Sequence, residues 1–154
     1  MKKIEFLNLK PNALLEKKLI SSAQRVIKSG YFILGPELLN FERNFSSFVG
    51  SRFSIGVGSG LDALYFCLKC LNLKKDDEVI VPSNTYIATW IAISKSGAKI
   101  VPVEPNILSY NIEAEQIEKK ITKKTKAIII VHLYGMPVDF KPIKSLCKKN
   151  KIIL

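Results

Sequence analysis

Apolar residues mark out the first fifty positions with a helical period. Leu15, Leu19, Ala23, Val26 and Ile27 fall on one face of a helix. Asn12 offers a side-chain N-cap and Gly30 a left-handed stop, so the pattern predicts a helix between them. Leu38, Phe41, Phe45 and Phe48 repeat the period behind Gly35-Pro36, where proline suits a first helical turn, and Gly50 closes the run.

Beyond residue 50 the period alternates. Short apolar runs predict strands over 53–57, 78–81, 99–103 and 126–131. Between and after them, amphipathic stretches predict helices over 62–71, 85–95, 112–121 and 139–149. The expected fold class is therefore α/β, a mainly parallel sheet with crossover helices on both faces. Nearly unbroken runs such as Ala127-Ile128-Ile129-Ile130-Val131 suit a sheet covered on both sides. The expected organisation is a helical segment over 1–50 and an α/β part over 51–154. The run 151–154 reads as a buried strand, and domains seldom finish inside one, so the expected α/β domain is incomplete, truncated at its C-terminus.

Composition narrows the function classes. Hydrophobic residues make up 47% of the 154, enough for a core. No apolar stretch reaches the roughly 18 residues of a membrane span, and the N-terminus lacks a secretory apolar region, so a cytoplasmic protein is expected. The net charge of +11 raises nucleic acid as a partner, but pairs such as Lys119-Lys120, Lys123-Lys124 and Lys148-Lys149 lie on predicted solvated faces without interleaved aromatics. Neither nucleic acid nor a membrane is expected as a partner. Cys67-Leu68-Lys69-Cys70 has redox or metal spacing, but it lies inside a helical run and lacks further ligands. Cys67 and Cys70 are expected as small core residues, and no metal site is expected.

Gly56-Val57-Gly58-Ser59-Gly60 links a predicted strand to a predicted helix. Glycines permit close backbone approach, and the helix start offers unpaired N–H groups and a positive dipole end. A phosphate is the expected ligand. The run Gly58-Ser59-Gly60-Leu61-Asp62-Ala63 also fits a loose dinucleotide pattern. That pattern wants an acid at the end of the next strand, where Val81-Pro82-Ser83-Asn84 has none. A purely structural turn is the remaining alternative. Polar residues and Tyr86 follow the second strand, where an aromatic ring can stack on a flat heterocycle. The bland alternative has Ser83 and Asn84 capping the helix and Tyr86 in the core. His132 ends a strand at the same side and is expected to be a satisfied structural residue.

These residues, taken together, resemble the DegT/DnrJ/EryC1/StrS family of sugar aminotransferases. The matching stretches are Gly30 to Glu37, Phe41-Glu42, Gly56 to Leu64, Val81 to Thr89, Pro102 to Pro105, Tyr110 to Ile112 and Thr125 to Gly135. The resemblance runs in order through nearly the whole chain. It implies part of a type I aminotransferase large domain, pyridoxal 5'-phosphate as cofactor, a nucleotide-sugar substrate, an amino-acid donor (usually glutamate) and a homodimer at full length. Carried over, the backbone of Gly60 and Leu61 would bind the cofactor phosphate, Ser59 and Asp62 would line that turn, and Tyr86 would stack on the pyridine. Tyr31 and Phe32 would lie near the sugar nucleotide. The run Tyr86 to Trp90 with Pro102 to Pro105 resembles members making 3-amino-3,6-dideoxyhexoses on dTDP. The family's Schiff-base lysine and pyridinium carboxylate would fall beyond residue 154, so no catalytic residue is assigned and no turnover is expected from these residues alone. Lysine-lacking dehydratases and non-catalytic sensors of the same family are alternatives.

Overall fold

The computed structural model describes residues 8–154. They form two compact units that divide between Gly56 and Val57.

In the first unit, helix α1 spans Ala13–Ser29 and helix α2 spans Pro36–Val49. Asn12 Oδ1 accepts the Leu15 N–H at 2.9 Å, which caps α1. Gly30 stops it at φ 71°, its N–H returning to the carbonyls of Val26 and Ile27. Proline opens α2, and Gly50 closes it at φ 70°. Arg25 and Glu37 pair across the two helices at 2.8 Å, and this hydrogen bond holds the Glu37 carboxyl below the usual carboxylate range. Both groups are exposed, so the pair adds little stability. The predicted apolar stripe of α1 is present but Leu15, Leu19 and Ile27 remain exposed.

The strand expected over 53–57 does not form. Phe53 and Ile55 are exposed, and no described strand lies alongside to share their N–H and C=O groups. The Glu42 carboxylate anchors this segment instead, accepting the Gly56 N–H at 2.7 Å. A β-carbon on Gly56 would lie 2.5 Å from Leu38 Cδ1, so a larger residue there would make the Leu38 side chain turn aside.

The second unit is built on a parallel sheet of order β2-β1-β3, with β1 at Glu78–Pro82, β2 at Lys99–Val103 and β3 at Thr125–Ile128. Val79 pairs with Ile100 on one side and Ala127 on the other. All of β1 is buried, and its side chains divide between two cores. Val79 and Val81 pack with Leu68 of helix α3 (Gly60–Cys70) and with Ala92 and Ile93 of helix α4 (Ile87–Ser96). Ile80 packs on the opposite face with Ile117 of helix α5 (Ala114–Glu118) and with Ile143 and Leu146 of helix α6 (Phe140–Asn150). The period-two alternation of a strand produces this division directly, and helices cover both faces as expected.

Buried Glu78, 7% exposed, ties the three strand starts together at the amino edge. Its carboxylate accepts the hydroxyls of Thr122 at 2.6 Å and Thr125 at 3.5 Å, and Lys99 Nζ lies 3.9 Å away. Helix α5 is shorter than the predicted 112–121, because the Thr125 hydroxyl captures the Thr122 N–H and turns the chain. The strand expected over 151–154 reduces to one parallel bridge between Ile153 and Ala127.

Two cysteines depart from expectation. Cys67 and Cys70 are exposed on the outer side of α3, whereas Cys147 is buried. Helical spacing puts Leu64 and Leu68 toward the sheet, and that rotation carries both thiols outward. Burial pushes the Cys147 thiol up from its ordinary value. Alkylation of the native chain is therefore expected to modify Cys67 and Cys70, with Cys147 reacting only after denaturation, as counted by mass spectrometry. Ile80→Ala, which leaves a cavity in the core shared with α5 and α6, is expected to cost about 3 kcal/mol in urea unfolding.

Candidate functional site

Parallel strands joined by crossover helices put every helix start at one edge of the sheet, here the carboxyl edge. Helix α3 runs down to the amino end of β1, and α4 leaves from its carboxyl end. Leu61 and Trp90, each near its helix start, pack against the same core, and Lys95 Nζ lies 5.0 Å over the Tyr65 ring.

The glycine turn opens directly onto α3. Ser59 is the N-cap, with an extended backbone, and its Oγ accepts the Asp62 N–H at 3.1 Å. The same hydroxyl donates to Asp62 Oδ2 at 2.8 Å, so Ser59 and Asp62 lock each other across the first turn. Ala63 N–H is satisfied by the Ser59 carbonyl at 3.0 Å. The N–H groups of Gly60 and Leu61 find no acceptor among the described residues. They are the open donors of the helix start, and nothing lies within 4 Å of where a Gly60 β-carbon would stand. A β-carbon on Gly58 would come within 3.2 Å of Asp62 Oδ2 and crowd the carboxylate that Ser59 holds. Two free donors, a positive dipole end and open space fit a phosphate ester.

Tyr86 is the N-cap residue of α4 and is 77% exposed, which overturns the core alternative for its ring. The capping alternative for its neighbours also fails. Ser83 Oγ donates to Glu104 at 3.0 Å, and Asn84 Nδ2 donates to the Tyr110 carbonyl at 3.0 Å, tying this segment to the loop after β2. Asn84 Oδ1 is buried without a partner among the described residues. The structure thus places Ser59, Gly60, Leu61 and Asp62 together in one turn and Tyr86 at the same edge of the sheet. Tyr31 and Phe32 lie in the first unit, exposed on the turn between α1 and α2. His132 is a loop anchor, its Nδ1 accepting the Val138 N–H at 3.0 Å. Sequence reasoning passed over Tyr110 and Tyr134, whose rings meet at this edge. The only signal for them was their place after strand ends.

A cleft of about 470 Å³ lies beside α5, between Asn111, Glu113, Met136 and Asp139. It contains none of the predicted site residues and carries carboxylates, which suit a phosphate poorly. No group of His, Cys, Asp and Glu among the described residues is arranged to hold a metal ion. None of the described helices is long and apolar enough to cross a membrane.

Known proteins are similar to this chain in sequence and fold. Over 150 residues the chain is 48% identical to a dTDP-3-amino-3,6-dideoxy-alpha-D-galactopyranose transaminase of Aneurinibacillus thermoaerophilus, covering 97% of this chain and 41% of that protein. It is 40% identical to a UDP-2-acetamido-2-deoxy-3-oxo-D-glucuronate aminotransferase of Pseudomonas aeruginosa, covering 97% and 42%. The crystal structure of NtdA from Bacillus subtilis with bound cofactor PMP superposes with a TM-score of 0.91 at 34% identity, covering 99% of this chain and 36% of that one. Streptomyces venezuelae DesV superposes with a TM-score of 0.90 at 41% identity, covering 99% and 42%. The chain therefore spans about two fifths of the length of these two curated relatives. With residues 14–154 matching the family's sequence profile, the chain belongs to the DegT/DnrJ/EryC1/StrS aminotransferase family.

Proposed function

We propose that this chain forms the phosphate-gripping part of a pyridoxal phosphate-dependent transaminase that acts on a nucleotide-linked keto sugar. The observation that carries the reading is the pair of open N–H groups, Gly60 and Leu61, at the start of α3. Family membership supports pyridoxal phosphate as the ester they hold.

Each residue has a physical task in this reading. The Gly60 and Leu61 amides donate to the cofactor phosphate, helped by the dipole of α3. The Ser59 hydroxyl is already committed to Asp62, so it shapes the turn rather than binding the phosphate. The Asp62 carboxylate braces Ser59 and keeps the turn closed. Tyr86 offers its exposed ring to the flat pyridine and shields that face from water. Bound there, pyridoxal phosphate would supply a carbonyl that can carry an amino group and a ring that can withdraw electrons. The resemblance puts the lysine and carboxylate that act on the cofactor beyond residue 154, so these residues grip without turnover.

The finer assignments belong to the same proposal. The donor is glutamate, and the substrate is a dTDP-linked 3-keto-6-deoxyhexose, by likeness to the Aneurinibacillus relative. Tyr31 and Phe32 contact the sugar nucleotide. The working protein is a cytoplasmic homodimer serving polysaccharide or glycan biosynthesis.

Gly60→Pro separates folding from binding. Proline is accepted at a first helical position, and the extended Ser59 before it is compatible. The variant removes one phosphate donor, so equilibrium dialysis is expected to show pyridoxal phosphate bound about tenfold more weakly with unchanged circular dichroism. Tyr86→Leu is expected to weaken the same binding without loss of fold. Unchanged affinity in both variants refutes the site. For the reaction, a chimaera joining this chain to the remaining length of the Aneurinibacillus relative is expected to form 2-oxoglutarate from glutamate in the presence of the keto sugar. The 154 residues alone are expected to form none.

A further inference from the structure

Tyr110 and Tyr134 hold left-handed backbone conformations, at φ 56° and 53°. A β-carbon disfavours that region, and such residues persist where their surroundings over-determine them. The surroundings here do so. Tyr110 N–H donates to the Asn106 carbonyl at 2.8 Å, and the Tyr110 carbonyl accepts from Asn84 Nδ2. Buried Asn111 bridges to the other loop, donating from Nδ2 to the Met136 carbonyl at 3.0 Å and accepting the Leu133 N–H at Oδ1 at 3.3 Å. His132 fixes the far side of that loop through Val138.

These ties present two rings rather than bury them. Tyr134 is 90% exposed and Tyr110 53%. The rings meet edge to face, with centroids 6.4 Å apart and planes at 79°. What sets these two apart from the chain's other exposed rings is that they meet each other and sit on left-handed backbone fixed by hydrogen bonds. Rings fixed before binding lose little freedom when another flat group stacks on them.

We propose that Tyr110 and Tyr134 form a stacking platform for the planar base of a nucleotide. The inference rests on the proposed nucleotide-linked substrate and deepens it. The two loops run into Ile112 and Val138 of the α5–α6 core, whereas the phosphate turn belongs to the α3–α4 side. Platform and turn therefore lie on opposite sides of one sheet edge. A nucleotide-linked sugar is a long ligand, its base separated from the reacting sugar by ribose and diphosphate. Recognition of the base away from the cofactor grip matches that shape. Stacking is tolerant of base identity, so thymine and uracil are both accepted.

Calorimetric titration of the whole 154-residue chain with dTDP, with UDP and separately with pyridoxal phosphate tests the platform. Tyr134→Phe is expected to bind both nucleotides like the parent chain. Tyr134→Leu is expected to bind them about tenfold more weakly, with pyridoxal phosphate unaffected. Equal nucleotide affinity in the leucine variant overturns the platform, as does failure of the parent chain to bind dTDP. A changed sedimentation coefficient in Tyr134→Leu with nucleotide affinity intact overturns it too and identifies a self-association surface. Failure of the parent chain to bind pyridoxal phosphate, with the nucleotide results as expected, sinks the cofactor reading and leaves the platform standing.

Discussion

The second unit depends on β1 being buried on both faces. Val79 and Val81 need one apolar layer and Ile80 needs another, so helices must cover both sides of the sheet. A sheet covered in that way is parallel, and a parallel sheet returns the chain to the same end after every strand. The carboxyl edge collects helix starts and loops for that reason alone. Chemistry gathers there because unpaired amides and positive dipole ends gather there. The position of the glycine turn is thus a result of core burial, reached before any ligand is considered.

Helices and central strands were legible because their signals are local. The Asn12 cap, the Gly30 and Gly50 stops and Pro36 act within a few residues, and each element they bound is where the pattern put it. Residues 53–57 misled because alternation marks a residue's intended side but says nothing of a neighbouring strand. The cysteines misled because an apolar run hides which side of the helix faces the core. Rotation is decided by Leu64 and Leu68 against β1, a tertiary matter.

The site was legible to a different depth at each residue. The glycine turn announces itself, since close approach and a helix start need those residue types. What sequence cannot supply is the partition of hydrogen bonds. Ser59 and Asp62 satisfy one another, leaving two open backbone donors at the turn. Asn84 reads as a cap but ties two loops, because its partner, the Tyr110 carbonyl, is a backbone group 26 positions away. Left-handed tyrosines leave no trace in periodicity at all.

The carboxylate at the amino edge has a bearing on the order of folding. Glu78 reaches Thr122 and Thr125, 44 and 47 positions along the chain. Contacts so distant in sequence carry a large loop-closure cost and slow folding. This polar knot therefore adds to the loop-closure entropy that pairing β3 with β1 must overcome. It can form only when β3 lies in register beside β1, so it couples that register to the burial of a carboxylate.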